Sequence, residues 1–278
     1  MIKLIWQMDR HNDWSRDWIE YIFNKVPHQT VEDYSQQLEE DRSIIVYNST
    51  VDNLNYLKRL HSRGKKFVLV HLADEWLVDS TEAYQYADLV LRTYYKDCGT
   101  NVINFSTGWM KDSPTDIPDK TIFEREFNWS FFGHIEGKPT RQQMADVMLS
   151  VPMGAYYYVP SHISFAVTSI EMAEYYSKSI FVPCSRGNMS FDTLRVNEAL
   201  QVGALPIVEA SDYWSKLYGP DHPLLMVESW NHAPALIDSL LRDKIALEKR
   251  RFNTVVWWQN YKQDLTNRIA NELVKFSQ

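Results

Sequence analysis

The sequence predicts an α/β protein built as two Rossmann-like domains facing a central crevice, and three observations carry that prediction. Short β-rich runs alternate with helical stretches along the chain, the pattern of parallel sheets covered by helices. Its 278 residues make close to two domains at about 150 residues each. A stretch rich in Pro, Asp and Ser, WMKDSPTDIPDK from residue 109, interrupts the alternation before it resumes. At 45% hydrophobic and 23% charged residues the chain can bury a sizeable core, which excludes disordered and disulfide-scaffold classes.

In the first half, strands are predicted at residues 3–7, 43–48, 66–71, 89–92 and 102–105. A helix is predicted over 50–62, because Leu54, Leu57 and Leu60 share a side and Gly64 follows as a helix end. The first domain is read as 1–115 and the linker as 116–127, within a break spanning 109–127. The second series then runs strand 128–135, helix 140–149, strand 155–159, helix 164–176, strand 180–183, helix 191–202, and strands 205–209 and 224–227. That domain spans 128–240, and residues 241–278 form an amphipathic helical tail expected to return to the first domain. Tyr156, Tyr157 and Tyr158 alternate across what reads as a buried strand, so one ring is expected to face a ligand. Trp257 and Trp258 are expected to dock across the domains.

The formal charge of −7 argues against general affinity for nucleic acid or anionic membrane. Its distribution is uneven: residues 242–278 hold eight Lys or Arg against four Asp or Glu, net +4, which leaves −11 for the rest. This tail reads as a solvated basic helix. Apolar runs such as FVLV and PLLMV fall far short of the roughly 20 residues of a membrane span. The N-terminus lacks the pattern of a signal peptide. A soluble, cytoplasmic protein without a transmembrane segment is expected, with Cys98 and Cys184 as reduced thiols.

Ligands of open parallel sheets bind at the carboxyl ends of the strands, so the strand-to-helix loops carry the candidates. Six of the nine glycines lie between residues 133 and 219, which suggests loops of close backbone approach there. The segment FVPCSRGNMSFDTLRVNEALQVGALPIV, 181–208, reads as strand, turn, helix opening near 190–192, a stop at Gly203, and a further strand. An anion at that turn would meet backbone N–H groups, the positive end of a helix and Arg186. On the helix, Glu198 suits the two hydroxyls of a ribose and Arg195 a phosphate, although the two residues also have the spacing of an i,i+3 surface pair.

That segment, with its LR-x-x-EAL-x-x-GA-x-P-I-V core, and FFGHIEGKPTR, 131–141, resemble the nucleotide-sugar half of exostosin-family glycosyltransferases. The resemblance covers roughly residues 128–230 and implies the two-Rossmann GT-B architecture, a UDP-sugar donor and inverting transfer. The first half is similar only in layout, and no membrane anchor is expected, as in compact members similar to algal-virus xylosyltransferases, whence a lean to UDP-xylose. The resemblance places the diphosphate near Gly133, Arg141 and Arg186, and the ribose near Glu198 with Thr193 and Arg195 beside it. Ser185 and His134 join these donor-binding candidates, and the uracil is expected after residues 156–159 or beside Pro183 and Cys184.

Inverting transfer needs a base for the acceptor hydroxyl and stabilisation of the departing diphosphate. There is no Asp-x-Asp, no HExxH and no close His/Cys cluster, so metal-independent transfer is expected, with the UDP-sugar as co-substrate and no cofactor. HLADEW, 71–76, follows the strong strand KKFVLV and offers Asp74 as base, with Glu75, Asp9 and His11 as alternatives. Mutual repulsion of Asp74 and Glu75 would raise one pKa, though acidic pairs also simply open helices. Trp14 and Trp76 are candidate acceptor-binding platforms for a glycan or glycoconjugate. Other readings are a GDP-fucose-dependent enzyme, a GT-B protein that binds carbohydrate without catalysis, and a nicotinamide enzyme, the last disfavoured by the absence of G-x-G-x-x-G.

Overall fold

The computed structural model describes residues 2–7, 13–47, 50–115, 120–160 and 167–277. The chain divides into two compact units, one of Met1–Thr107 with Lys262–Gln278 and one of Gly108–Tyr261. Each contains one all-parallel sheet.

In the first unit the elements run β1 (Ile2–Trp6), α1 (Arg16–Ile22), β2 (His28–Glu32), β3 (Ser43–Tyr47), α2 (Thr50–Ser62), β4 (Phe67–His71), β5 (Leu89–Arg92) and β6 (Val102–Asn104). The sheet order is β2-β1-β3-β4-β5-β6. Its centre follows from the sequence directly: SIIVY and FVLVH are buried at every position, as strands covered on both faces must be. Leu57, Leu60, Phe67, Leu69 and Val90 pack together there. β2 adds to the predicted elements, while α1 falls where a helix between strands is expected. β2, HQTVE, is a partly exposed edge strand with no apolar run, and its register is set by pairing Leu4 with Thr30 along β1. The C-terminal residues close on this unit, where Lys25 donates to Asn267 at 2.6 Å.

The second unit holds β7 (Phe127–Gly133), α3 (Pro139–Met148), β8 (Gly154–Tyr158), α4 (Ser169–Ser177), β9 (Ser179–Pro183), α5 (Leu194–Gln201), β10 (Leu205–Glu209), α6 (Tyr213–Tyr218), β11 (Leu225–Val227), α7 (Ala233–Leu241) and, as far as Tyr261, α8 (Lys244–Ser277). The order β11-β10-β9-β7-β8 puts β8 at an edge. The tyrosine strand is therefore not buried: Tyr156 and Tyr157 are exposed, Tyr156 stacks on both Trp129 and Tyr158, and Tyr157 alternates to the other face. Trp257 and Trp258 are also placed differently from expectation. Trp258 Nε1 donates to Gln201 and Trp257 meets Tyr218, so both pack within this unit.

The division falls at 107–108, ahead of the predicted linker, because residues beyond it bond inside the second unit: Gln201 donates to the Thr115 carbonyl. Arg125 fastens the start of that unit. Its guanidinium donates to the carbonyls of Tyr176, Ser179, Lys120, Val202 and Gly203, which satisfies the C-terminal ends of α4 and α5. Burial lowers its pKa to about 10.

Candidate functional site

β7, β9 and β10 of the second unit end in Gly133, Pro183 and Glu209, and the loops and helices that follow β7 and β9 hold the other predicted donor-binding residues. Gly133 is required by Arg195. A Cβ on Gly133 would stand 2.6 Å from Arg195 Nη2, which itself donates to the Phe132 carbonyl at 3.0 Å. The guanidinium lies 4.5 Å from the Phe131 ring centroid, and its Nε and Nη1 are buried without an acceptor. An unmet donor on a buried cation is costly, so these two atoms are suited to an incoming anion.

α5 begins at Leu194, later than predicted, because Thr193 is extended and serves as the residue before the first turn. Its side chain does not cap the helix, and Thr193 Oγ1 is buried with no partner. Glu198 is 5% exposed and accepts a long bond from the Met110 amide to Oε1 at 3.4 Å. Burial raises its pKa to about 7, against the opposing influence of Arg195 and the Met110 N–H. Cys184 is buried, donates to the Val182 carbonyl at 3.2 Å, and has its pKa pushed well up by burial. Arg195, Glu198 and Arg141 all act on that thiol electrostatically, which places them in one neighbourhood.

Arg141 occupies the first turn of α3 and donates to the His134 carbonyl at 3.1 Å, so it braces the loop after β7. His134 is itself half-buried. Ser185 Oγ is 3.2 Å from Glu209 Oε1, and the half-buried Arg186 has its Nε 3.5 Å from Glu209 Oε2. Trp230 Nε1 also donates to Glu209, at 2.8 Å. Glu209 is the residue that sequence reasoning missed. Its signal was present, since a lone carboxylate ends the apolar strand LPIVE at the ligand edge.

In the first unit, Asp74 lies within a network made by its own loop and β5. Its Oδ1 accepts the amides of Val78 and Asp79 at 2.9 and 3.1 Å, and its Oδ2 pairs with the buried Arg92 guanidinium. A carboxylate so engaged shapes its loop, and its charge partner is the Arg92 guanidinium. Arg92 and Tyr84 also donate to His71 Nδ1, at 2.9 and 2.6 Å, which leaves the His71 Nε2–H to donate to Asp79 at 2.9 Å. Burial lowers the His71 pKa, and the bond from His71 lowers that of Asp79. Glu75 is half-buried, while Trp14 and Trp76 are exposed. Asp9 and His11 lie outside the described residues. Among the described residues, no group of three or more His, Cys, Asp or Glu is placed to hold a metal ion, and no helix is long and apolar enough to cross a membrane.

No protein-family model matches the chain, and comparison with curated proteins finds no match. Solved structures do match. An α1,3-fucosyltransferase aligns over 96% of this chain and 90% of its own, with a TM-score of 0.60 at 11% identity. The DNA-modifying enzyme β-glucosyltransferase, whose substrate is uridine diphosphoglucose, aligns over 98% and 99%, with a TM-score of 0.56 at 13% identity. MurG from Acinetobacter baumannii aligns over 99% and 100%, with a TM-score of 0.52 at 10% identity. Two parallel-sheet Rossmann-like units are thus the fold this chain shares with GT-B glycosyltransferases.

Proposed function

We propose that the protein is an inverting, metal-independent glycosyltransferase of exostosin-like type, which moves a sugar from a UDP-sugar, with UDP-xylose favoured, to a glycan hydroxyl. The observation that carries this reading is the set of buried polar groups on α5 and at its start, Thr193, Arg195 and Glu198, whose hydrogen-bonding capacity is not fully met among the described residues. Glu198 accepts the ribose hydroxyls, and Thr193 and Arg195 bind the diphosphate. Arg186 and the loop that Arg141 braces complete the phosphate contacts. A uridine donor is supported by the β-glucosyltransferase of the same fold, which acts on uridine diphosphoglucose.

In the reaction the acceptor oxygen forms its bond to the anomeric carbon as the bond from that carbon to the diphosphate breaks. UDP leaves with the electron pair, and arginine N–H groups stabilise its charge in place of a metal. The acceptor proton passes to a carboxylate. We assign it to Glu75, next to Asp74 in the loop after β4, with Asp9 and His11 as the alternatives. Trp14 and Trp76 are read as faces for acceptor sugars.

Calorimetry with UDP and GDP, followed by a transfer screen of UDP-xylose, UDP-glucuronate, UDP-N-acetylglucosamine and UDP-galactose with and without EDTA, tests the proposal. UDP binding and EDTA-insensitive transfer are expected, and Glu75→Gln should slow turnover by about 10²-fold or more with UDP affinity kept. Binding of GDP without UDP would transfer the assignment to a GDP-fucose donor, and loss of activity in EDTA would remove the metal-free mechanism. No transfer from any donor would leave a carbohydrate-binding protein of this fold.

A further inference from the structure

The basic segment of an otherwise acidic chain has no task in nucleotide binding, and the structure shows where its charge lies. Lys244, Lys249 and Arg250 are exposed in the first turns of α8. Arg242 instead pairs with Asp238 at 2.5 Å, and Arg251 turns inward onto Glu248 at 2.7 Å. Positions 245, 249, 252 and 256 fall on one stripe of a helix. They carry Ile245, 81% exposed, Lys249, Phe252, 57% exposed, and Val256, 42% exposed. The opposite face buries Leu247, Arg251, Thr254 and Trp258. This part of α8 is therefore apolar outward as well as inward, whereas a merely solvated face would be polar.

Beside that stripe a groove of about 510 Å³ is lined by Pro223, Leu240, Asp243, Lys249, Arg250 and Asn253. Asp243 accepts the Ala246 amide at 2.9 Å as the helix cap and keeps its charge, so the lining holds two cations against one carboxylate. Two cations thus border a groove next to three protruding apolar side chains.

We infer that this face of α8 docks on an anionic phospholipid surface. Lys244, Lys249 and Arg250 take lipid phosphates, and Ile245, Phe252 and Val256 enter the boundary between headgroups and acyl chains. Charge selects this occupant. A second copy pairing through the same face would set Lys249 and Arg250 against their own equivalents. The net charge of −11 on residues 1–241 repels an anionic leaflet, so only this face approaches it. The whole-chain charge does not forbid the contact, because screening limits each charge to about 8–10 Å at physiological salt.

The test is co-sedimentation of the full chain with phosphatidylcholine vesicles, either pure or with one part in three phosphatidylglycerol. Binding to the anionic vesicles alone, weakening with salt, is expected. Each cation at such a surface is worth roughly fivefold in partitioning, so the double variant Lys249→Glu/Arg250→Glu should bind at least about tenfold more weakly. Phe252→Ser should also weaken binding. All three residues are exposed, so the variants should keep wild-type circular dichroism and wild-type UDP affinity, which separates this proposal from the nucleotide reading. Absence of binding to anionic vesicles, equal binding to both vesicle types, or indifference to these substitutions would overturn it. So would a dimer in analytical ultracentrifugation that Phe252→Ser abolishes, which would identify a second copy as the occupant.

Discussion

Two groups of buried polar side chains, one in each unit, are constructed in opposite ways. In the first unit Asp74, Arg92, His71, Tyr84 and Asp79 answer one another in a closed set of bonds. In the second, among the described residues, Glu198 accepts one long bond from the Met110 amide, and Thr193 Oγ1 and two nitrogens of Arg195 meet no partner. Both groups lie at the carboxyl ends of parallel strands, where ligands of such sheets bind. The closed group has satisfied its polar atoms internally and serves the fold. The open group keeps polar atoms that no described residue answers, so charge and burial by themselves do not distinguish the two kinds.

The strongest way to break that contrast is to open the closed group. Asp74→Ala leaves Arg92 as an uncompensated charge in the interior and frees two loop amides. A loss of about 3–5 kcal/mol is expected, read from urea unfolding of the variant against wild type. Asp74→Asn, which keeps an oxygen for the amides, should lose less. An Asp74→Asn protein with wild-type stability and no turnover would instead identify Asp74 as the base.

Glu198 should respond in the reverse sense, because its burial opposes folding in the ionised form. Its pKa of about 7 stands above the ordinary 4.5, so the native chain retains a proton that the unfolded chain releases between those values. The stability this group contributes is complete below about 4.5 and falls, by roughly 3 kcal/mol in total, as pH rises to about 7. Glu198→Gln removes that slope. The stability difference between variant and wild type should therefore shift in the variant's favour across this interval, measured by urea unfolding at a series of pH values. UDP affinity should move the other way, with a loss of about 1.5–3 kcal/mol in calorimetry, since an amide cannot receive two ribose hydroxyls as a carboxylate does. A variant that binds UDP as tightly as wild type would show that Glu198 belongs with the closed kind.

The sequence disclosed the two groups unequally. Central strands were readable because SIIVY and FVLVH are uninterrupted apolar runs, and the LR-x-x-E spacing placed Arg195 and Glu198 on one helix that then formed. The partnership of Asp74 was not readable. Arg92 stands 18 residues away and arrives only through the parallel register that pairs His71 with it, a relation no local pattern encodes. Adjacent carboxylates suggested mutual repulsion, while the fold answered one of them with a distant cation. The edge position of β8 was likewise hidden, since strand order is a tertiary fact and GAYYY has the composition of a covered strand. Glu209 could have been found by asking which strand ends in a charge.

The finest test alters the open group without touching any polar atom. Gly133 lies at φ +154°, and a methyl there would stand 2.6 Å from Arg195 Nη2, a separation real side chains do not tolerate. Gly133→Ala must move the guanidinium, the end of β7, or both. Since Arg195 Nη2 also loses its place on the Phe132 carbonyl, the displaced cation should weaken UDP binding by about tenfold, or near 1.4 kcal/mol. Displacement of Arg195 leaves intact the bonds of the first unit, so the thermal transition should fall only by the local strain, within about 1–3 kcal/mol. Gly154→Ala is the matching control: its Cβ would enter the Trp129 ring at 2.4 Å and disturb packing with no polar group of the open set involved. UDP affinity lost in Gly133→Ala and kept in Gly154→Ala would tie nucleotide binding to the seat of Arg195. Equal losses in both would mean that the sheet, and not the arginine, governs the site.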